Sequence, residues 1–413
     1  MAVVPEPVSH ARAPLWEAGR MMHSGNFASA AEILQDIVEQ GDNLQAVWML
    51  ASASLELGRH EEALRYSSIV ADRDRSSIPA LEMRARANAA LGRYASALSD
   101  YDALAALRRK QNPKSPDGYS IPAHFALHNI EQIDHILTRG DYDRRTFAGV
   151  PAEELDGLKN QLTGMVAEAN GEVPYVRVDE ANRWIADPPY VTVAEQKLPG
   201  YLNRDVDYVQ IRQGIRTGDR RVQVIDDFLT PDALDQVRKF CLESTVWRHP
   251  YKFGYVGAFP QDGYASVSLF AIAEELSAAL GEALDGYYFA QWWGFVYDDK
   301  LPGTDIHADD ADFAVNLWIT PDSANLDPNT GGLVVWDIAP PDDWNFEVYN
   351  SGGDQVRQLL RQQDAEPTVV AHRENRAVLF GGRVFHQTDG FRFAPGFENR
   401  RRSLTFLFRR HTH

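Results

Sequence analysis

Hydrophobic residues recur at helical spacing through the first quarter of the chain. The segments AVWMLASASLEL and ALEMRARANAAL place apolar side chains three and four residues apart, a spacing typical of amphipathic helices. Each segment is followed by a glycine and then by a second amphipathic segment, such as EEALRYSSIV. This pattern predicts pairs of helices over residues 15–112, preceded by a short disordered lead at residues 1–14.

The glycine-centred blocks repeat at a nearly constant period. They begin at Gly25, Gly58 and Gly92, so the spacings are 33 and 34 residues. Glycine permits the tight turn between paired helices, and the alanine five positions after each glycine lets those helices approach closely. A helix, a glycine turn and a second helix at this period resemble tetratricopeptide repeats. The alternative is an ordinary helical bundle whose glycine turns happen to recur.

Two segments are predicted to separate the repeats from the last part of the chain. After the proline- and glycine-rich stretch QNPKSPDGYS, two further helices are expected near 122–139 and 151–169. Residues 113–172 would therefore form a helical extension that caps the repeats. Residues 173–220 contain four prolines and are predicted to be an irregular docking arm.

The hydrophobic period changes from helical to alternating in the last part of the chain. Thr230 is a favourable N-cap for a helix that follows the strand-like run VQVI, and another helix is predicted over about 268–284. After it come only strand-like runs, among them AQWWGFVY, FAVNLWIT and SLTFLF. Helices followed by many short strands predict a jelly-roll domain at 221–413. The expected fold class is α+β multidomain, with an all-α helical-repeat region before the jelly roll and its flanking helices.

Composition and charge argue against several classes of function. A length of 413 residues predicts two or three domains, and a net charge of −18 argues against binding to nucleic acid or anionic lipid. The sequence contains neither a long apolar run nor a secretory signal. The one cysteine, Cys241, excludes an intrachain disulfide. We therefore expect a cytoplasmic protein that binds neither nucleic acid nor membrane.

The first candidate for chemistry is a histidine followed two positions later by an acid. Three such pairs occur, and chance alone would produce about two. They are His60/Glu62, His307/Asp309 and His372/Glu374. The first pair lies on a predicted helix, where positions two apart diverge, and the third lies in a predicted turn. The second pair lies at a strand edge, where positions i and i+2 share one face, so it is the candidate site.

Downstream residues extend that pair into a metal and carboxylate site. His386 follows His307 by 79 residues, and Arg401 follows His386 by 15 on a strand whose same face carries Ser403. Two histidines and one carboxylate that leave coordination positions open form the facial triad of non-haem Fe(II) oxygenases. An arginine can grip a carboxylate through two parallel hydrogen bonds. Arg402, on the opposite strand face, is a rival that the sequence does not exclude.

Residues from about 222 to 410 resemble the 2-oxoglutarate- and Fe(II)-dependent dioxygenase superfamily, in its prolyl-hydroxylase-like branch. The resemblance rests on the entry segment VIDDFL, on Tyr297 ten residues before His307, on the strand TGGLVVW and on the terminal arginine strand. It implies a double-stranded β-helix that binds Fe(II) and the co-substrate 2-oxoglutarate. The implied metal ligands are His307, Asp309 and His386, and the implied 2-oxoglutarate ligands are Arg401, Tyr297 and Ser403.

The resemblance also implies a reaction. O₂ would be the oxidant, ascorbate an optional cofactor, and a C–H bond of a protein, peptide or amino-acid-like substrate would be hydroxylated with release of succinate and CO₂. Two alternatives remain: a degenerate jelly roll that serves as a binding scaffold, and a non-oxidative cupin-like metalloenzyme. The repeats would either bind a protein or peptide, or brace the catalytic domain or a dimer. Trp293, Phe295 and Trp318 would either line a substrate pocket or fill the core.

Overall fold

The computed structural model describes residues 12–41, 43–111, 118–140, 142, 144–168, 172–217, 222–298 and 303–411. The described residues form two compact units. One comprises those up to Lys110 together with Arg410 and His411, and the other comprises those from Gln111 to Arg409. In the described part of the chain, no helix combines the length and the apolar character that crossing a bilayer would require.

The described part of the first unit is built from helices in pairs. They are α1 (Arg12–His23), α2 (Phe27–Gln40), α3 (Leu44–Glu56), α4 (His60–Arg73), α5 (Ile78–Ala90) and α6 (Tyr94–Gln111). The predicted helix pairs are therefore present. Helix α1 begins at Arg12, so residues 12–14 are helical and the prediction of a disordered lead is wrong for them. The rest of that lead, residues 1–11, lies outside the described residues.

A glycine with positive φ stands between the two helices of each pair. The φ angles of Gly25, Gly58 and Gly92 are 78°, 69° and 69°, in the left-handed region that side chains with a Cβ atom rarely adopt. Five positions after each of these glycines stands an alanine that is 0% exposed. The backbone can therefore reverse direction tightly, and the small side chain leaves room for the neighbouring helix.

Replacing Gly92 with alanine is expected to lower the free energy of unfolding by about 1 kcal/mol. A Cβ atom at this position would meet no atom within 4 Å, so the cost comes from the left-handed backbone alone. Asparagine tolerates that backbone better, and Gly92→Asn should therefore lose less. Urea denaturation followed by the helical circular dichroism signal measures the difference. Three equally stable proteins would contradict the assigned role of this glycine.

Among the described residues, the second unit begins with three helices and two short strands. They are β1 (Tyr119–Pro122), α7 (Ala123–Arg139), α8 (Leu155–Ala167), β2 (Tyr175–Val178) and α9 (Tyr208–Thr217). Strands β1 and β2 pair antiparallel. The segment predicted as an irregular arm thus contains a strand and a helix, and its residues 218–220 lie outside the described residues. Its four prolines all precede residue 200, so they leave α9 free to form.

The remaining helices and strands of the described residues are four α-helices and ten strands. They are β3 (Val222–Ile225), α10 (Pro231–Glu243), β4 (Trp247–Tyr251), β5 (Tyr255–Ala258), α11 (Val267–Leu280), β6 (Tyr287–Tyr297), β7 (Phe313–Trp318), β8 (Leu333–Trp336), α12 (Phe346–Ser351), α13 (Gly353–Gln362), β9 (Pro367–Val370), β10 (Arg376–Gly381), β11 (His386–Thr388) and β12 (Arg402–Arg410). The Thr230 hydroxyl accepts a hydrogen bond from the Ala233 amide at 3.3 Å, so the predicted N-cap of α10 is present.

Two helices lie where only strands were predicted. Helices α12 and α13 follow β8, so the prediction that no helix comes after α11 is wrong. In α13, Val356 and Leu360 are buried four residues apart, which is the spacing of an amphipathic helix. That spacing is visible in the sequence VRQLL, but the strand-like runs on either side of it suggested a continuous β region.

Two antiparallel sheets form the framework of this unit. Their strand orders are β3-β10-β7-β12-β6-β5-β4 and β11-β8-β9. One hydrophobic cluster contains Trp318, Phe380 and Leu407 from the larger sheet together with Leu333 and Val335 from the smaller. The two sheets therefore pack face to face around a shared core. The chain segments that approach β11 at the edge of this core carry the candidate site.

Candidate functional site

A short backbone bridge brings the two site histidines together. The His307 amide donates to the His386 carbonyl at 3.0 Å, and the His386 amide donates to the His307 carbonyl at 2.8 Å. The two residues thus form an isolated antiparallel bridge, and their rings lie 4.3 Å apart between centroids. Residues that are 79 positions apart in the sequence become direct neighbours at the edge of the smaller sheet.

Asp309 completes the cluster from the same segment as His307. Its amide donates to the Gly382 carbonyl at 3.0 Å, which anchors the segment just beyond the bridge. The Nε2 atoms of His307 and His386 lie 3.7 and 3.6 Å from the Asp309 carboxylate oxygens. One ligand atom from each of the three residues can be chosen so that all lie within 4.8 Å of one another. Such a set can hold one divalent cation.

Hydrogen bonds orient both imidazoles toward the cluster. Nδ1 of His307 lies 2.8 Å from the Asp305 carbonyl, and Nδ1 of His386 lies 3.0 Å from the Val384 carbonyl. A backbone carbonyl only accepts, so in a neutral imidazole held this way Nδ1 carries the proton and Nε2 presents its lone pair. This arrangement is typical of metal-ligating histidines, whose second nitrogen is held by a hydrogen-bond acceptor.

The electrostatics of the cluster favour a cation. Asp309 is 5% exposed, and burial raises the pKa of its carboxyl group to about 6. Burial also lowers the pKa of His386 well below its ordinary value. A buried carboxylate beside a neutral imidazole lacks a compensating positive charge. The three donors therefore fit a bound metal ion, which would supply that charge and stabilise the deprotonated ligands.

Arg401 lies at the other end of the same region, one residue before β12. The residue is 2% exposed, and burial lowers the pKa of its guanidinium. Nε donates to the Gly331 carbonyl at 2.6 Å, and Nη2 donates to the Gly332 carbonyl at 3.1 Å. Nη1 is buried and finds no acceptor with hydrogen-bonding geometry among the described residues. A buried cation with an unused donor fits a carboxylate ligand.

Arg402 points to a different environment. Its Nη1 and Nη2 donate to the carbonyls of Phe397, Glu398 and Arg400 at 2.8–3.3 Å, and its guanidinium lies 4.6 Å from the Phe397 ring centroid. It does not line the chamber that Arg401 lines. The alternation of side chains along the strand thus separates the two neighbouring arginines.

All six sequence-predicted site residues line one small chamber. Besides His307, Asp309, His386, Arg401, Tyr297 and Ser403, its wall includes Thr304, Asn316 and Thr388. The Tyr297 hydroxyl lies 3.1 Å from the Thr304 hydroxyl. Sequence reasoning did not assign Thr304 or Thr388 to the site. Thr388 stands two positions after His386, so period-two alternation would have found it, whereas Thr304 lies in an irregular segment and gave no comparable signal.

The three aromatic candidates divide between pocket and core. Trp293 and Phe295 line both the chamber and the wider cleft in front of it. Trp318 is 0% exposed and stacks on His372 with ring centroids 5.7 Å apart. It therefore fills the core, whereas the other two are accessible to a ligand.

The other histidine–acid pairs do not form clusters of this kind. Among the described residues, the set around His307 is the one group of three potential metal ligands that converge. His60 is buried at the start of α4, and His372 is buried against Trp318 and Phe393.

Comparisons with known proteins give partial structural likenesses. No protein-family model matches the sequence, and no curated protein matches it. The non-haem α-ketoglutarate-dependent epimerase SnoN from nogalamycin biosynthesis aligns at 14% identity over 49% of this chain and 84% of its own, with a TM-score of 0.34. HygX from Streptomyces hygroscopicus, with nickel and 2-oxoglutarate bound, aligns at 11% identity over 48% and 87%, with a TM-score of 0.34.

A further likeness involves the helical part of the chain. A thermophilic TPR protein of Thermus thermophilus, TTC0263, aligns at 18% identity over 38% of this chain and 80% of its own, with a TM-score of 0.23. At such identities and TM-scores, these likenesses carry no argument about this protein. The argument about function rests on the geometry of the site instead.

Proposed function

We propose that this protein is an Fe(II)- and 2-oxoglutarate-dependent oxygenase that hydroxylates a C–H bond. One observation carries the proposal: three converging metal-ligand atoms and a buried guanidinium with an unused donor line the same chamber. A bound metal ion alone would explain the three converging ligand atoms but not the unused donor of the buried guanidinium. A dicarboxylic co-substrate beside the metal accounts for both.

In this proposal the ligands and the arginine act at opposite ends of the co-substrate. His307, Asp309 and His386 would hold Fe(II) through Nε2, a carboxylate oxygen and Nε2. Arg401 would bind the far carboxylate of 2-oxoglutarate, with Tyr297 and Ser403 as additional polar partners. Bound Fe(II) would supply the activation of O₂ that couples 2-oxoglutarate decarboxylation to hydroxylation. The protein's own contribution is to fix the distance between these groups and to exclude water from the chamber.

We also propose a domain organisation for the chain. The two facing sheets would form the double-stranded β-helix of an oxygenase domain at residues 221–413. The helix pairs at 15–112 would be tetratricopeptide-like, with 113–172 as their cap and 173–220 as a docking segment. The repeats would bind a protein or peptide partner or brace the catalytic domain. The substrate would be a protein, a peptide or an amino-acid-like molecule.

The test is succinate formation by the full chain supplied with Fe(II), 2-oxoglutarate and O₂. A panel of amino acids, aromatic acids and peptides is screened by NMR. Succinate should appear in the wild type, should disappear without O₂, and should fall at least about 100-fold in Asp309→Ala because a metal ligand is lost.

An acid away from both the chamber and the cleft provides a control. Asp232, in the first turn of α10, is exposed and lines neither of them, so Asp232→Ala should retain most of the activity. Turnover that persists without O₂ would favour the cupin-like alternative. A protein that binds neither metal nor 2-oxoglutarate would favour the scaffold alternative.

A further inference from the structure

An open cleft lies in front of the chamber and is lined largely by aromatic rings. Its volume is about 610 Å³, and it shares His307, Asp309, Trp293 and Phe295 with the chamber. Six aromatic side chains contribute to its wall and remain partly or largely exposed. They are Tyr251, Phe253, Phe259, Trp293, Phe295 and Phe346. A concave, mostly apolar cleft of this size is typical of a binding site for a small molecule.

The rings form a continuous wall. Phe259 and Trp293, and likewise Trp293 and Phe295, have centroids 6.3 Å apart, and Tyr251 meets Phe295 edge to face at 5.8 Å. Rings at these separations touch one another. A cage for a cation instead surrounds its ligand with ring faces that are spaced by the width of the cation. The wall is therefore suited to one flat group stacked against it.

The charges around the cleft disfavour a cationic ligand. The carboxylate of Asp305 pairs with Arg357 at 2.7 Å, and that of Asp310 pairs with Arg409. Lys252, at the turn between β4 and β5, lies 4.9 Å from the Phe253 ring centroid and makes no ion pair with a described carboxylate. Two of the three lining acids are thus neutralised, and the third, Asp309, is 5% exposed and belongs to the cluster of metal-ligand atoms. The lining lysine, in contrast, keeps a charge that can be offered to a ligand.

We propose that the cleft binds a small molecule with a flat, largely apolar ring and an anionic group. The ring would stack on the wall formed by Phe259, Trp293 and Phe295, next to the metal ligands. The anionic group, a carboxylate or a phosphate, would face Lys252. The inference narrows the substrate class of the proposed oxygenase, and it rests on that function only in taking the cleft as the substrate site.

Binding of three matched probes to the full chain tests the proposal. They are 2-naphthoate, 2-naphthylmethanol and 2-naphthylmethylammonium, which carry the same ring with negative, neutral and positive groups. Isothermal titration calorimetry is expected to give affinities in the order anion, neutral, cation. The anion should bind about 3-fold more tightly than the neutral probe, the size expected for one exposed ion pair.

Two substitutions test separately how much the aromatic wall and the lysine charge contribute to binding. Trp293→Ala should weaken all three probes by about tenfold, because the main stacking surface is removed. Lys252→Ala should abolish the preference for the anion and leave the neutral probe unchanged. Trp16→Ala is the control, because Trp16 is 66% exposed and lines no part of the cleft. Melting temperatures of the variants establish that each one is folded.

The outcomes distinguish this inference from the proposed function. Equal affinities for the three probes, tightest binding of the cation, or an unchanged affinity in Trp293→Ala would overturn the inference. A ring that binds only when it is carried on a peptide would overturn it as well. Probe binding needs neither metal nor turnover. A protein that binds the probes as expected and forms no succinate would therefore leave the inference standing while the proposed function fails.

Discussion

His386→Ala is expected to weaken binding of a divalent metal ion by at least about 100-fold and to abolish succinate formation. Loss of an outer-shell partner of a ligand commonly costs 10- to 100-fold in metal affinity, and this substitution removes a ligand itself. The side chain is 3% exposed, and solvent has little room to replace the lost nitrogen without disturbing its neighbours. Anaerobic titration with Co(II), followed by its visible absorption, measures the affinity.

A buried histidine outside the cluster controls for loss of packing. His128, on α7, is 0% exposed and does not belong to the converging set of ligands. His128→Ala should destabilise the protein by opening a cavity but should bind Co(II) like the wild type at a temperature where it is folded. Equal metal affinities for His386→Ala and the wild type would show that the ion binds elsewhere.

Arg401→Met is expected to weaken 2-oxoglutarate binding by about 100-fold. Nη1 carries two N–H groups, so two charge-assisted hydrogen bonds of about 1.5 kcal/mol each would be lost, and 1.4 kcal/mol corresponds to a factor of ten. Pyruvate carries the same 2-oxo acid group without the second carboxylate. Its affinity should therefore be nearly the same in Arg401→Met and the wild type. Calorimetry on Co(II)-loaded protein, with each ligand in turn, gives the ratio of the two affinities.

The adjacent arginine is a matched control for that experiment. Arg402 is buried to the same degree, yet both of its Nη atoms donate to backbone carbonyls, and the residue does not line the chamber. Arg402→Met should lower the free energy of unfolding, because those carbonyls lose their donor, and should leave the affinity ratio unchanged. A ratio that falls in Arg402→Met and not in Arg401→Met would reverse the assignment of the two residues.

Much of the secondary structure followed from local pattern. The helix pairs were predictable because apolar spacing and the recurring glycines act within a single turn or a single helix, and the N-cap at Thr230 is equally local. Helices α12 and α13 were missed because their short amphipathic pattern lies between strand-like runs. Helix α9 was missed because the prolines earlier in its segment outweighed its own apolar spacing. In both cases burial against the rest of the unit decides the conformation of a short segment.

The sequence predicted the residue types of the candidate site, but only some of the residues that line the chamber. Alternation along a strand assigned Arg401 and Ser403 to one face and Arg402 to the other, and the chamber contains the first two. Alternation alone does not determine which of the two strand faces lines the chamber. The answer depends on which side of the strand meets the facing sheet. Thr304 does not lie on a strand, so alternation gives no prediction for it.

The sequence by itself determined the helix pairs and the approximate positions of most strands. It also determined a short list of residues whose side chains can bind a metal ion or a carboxylate. These depend on backbone preferences and on the two periodicities of side chains, which are local properties. The tertiary structure alone decided that His307 and His386 share a backbone bridge, that Arg401 keeps a donor unused, and that Trp318 is core while Trp293 faces the cleft. Each of these depends on residues far apart in the chain being brought into contact by packing of the two sheets, and no local pattern encodes such a contact.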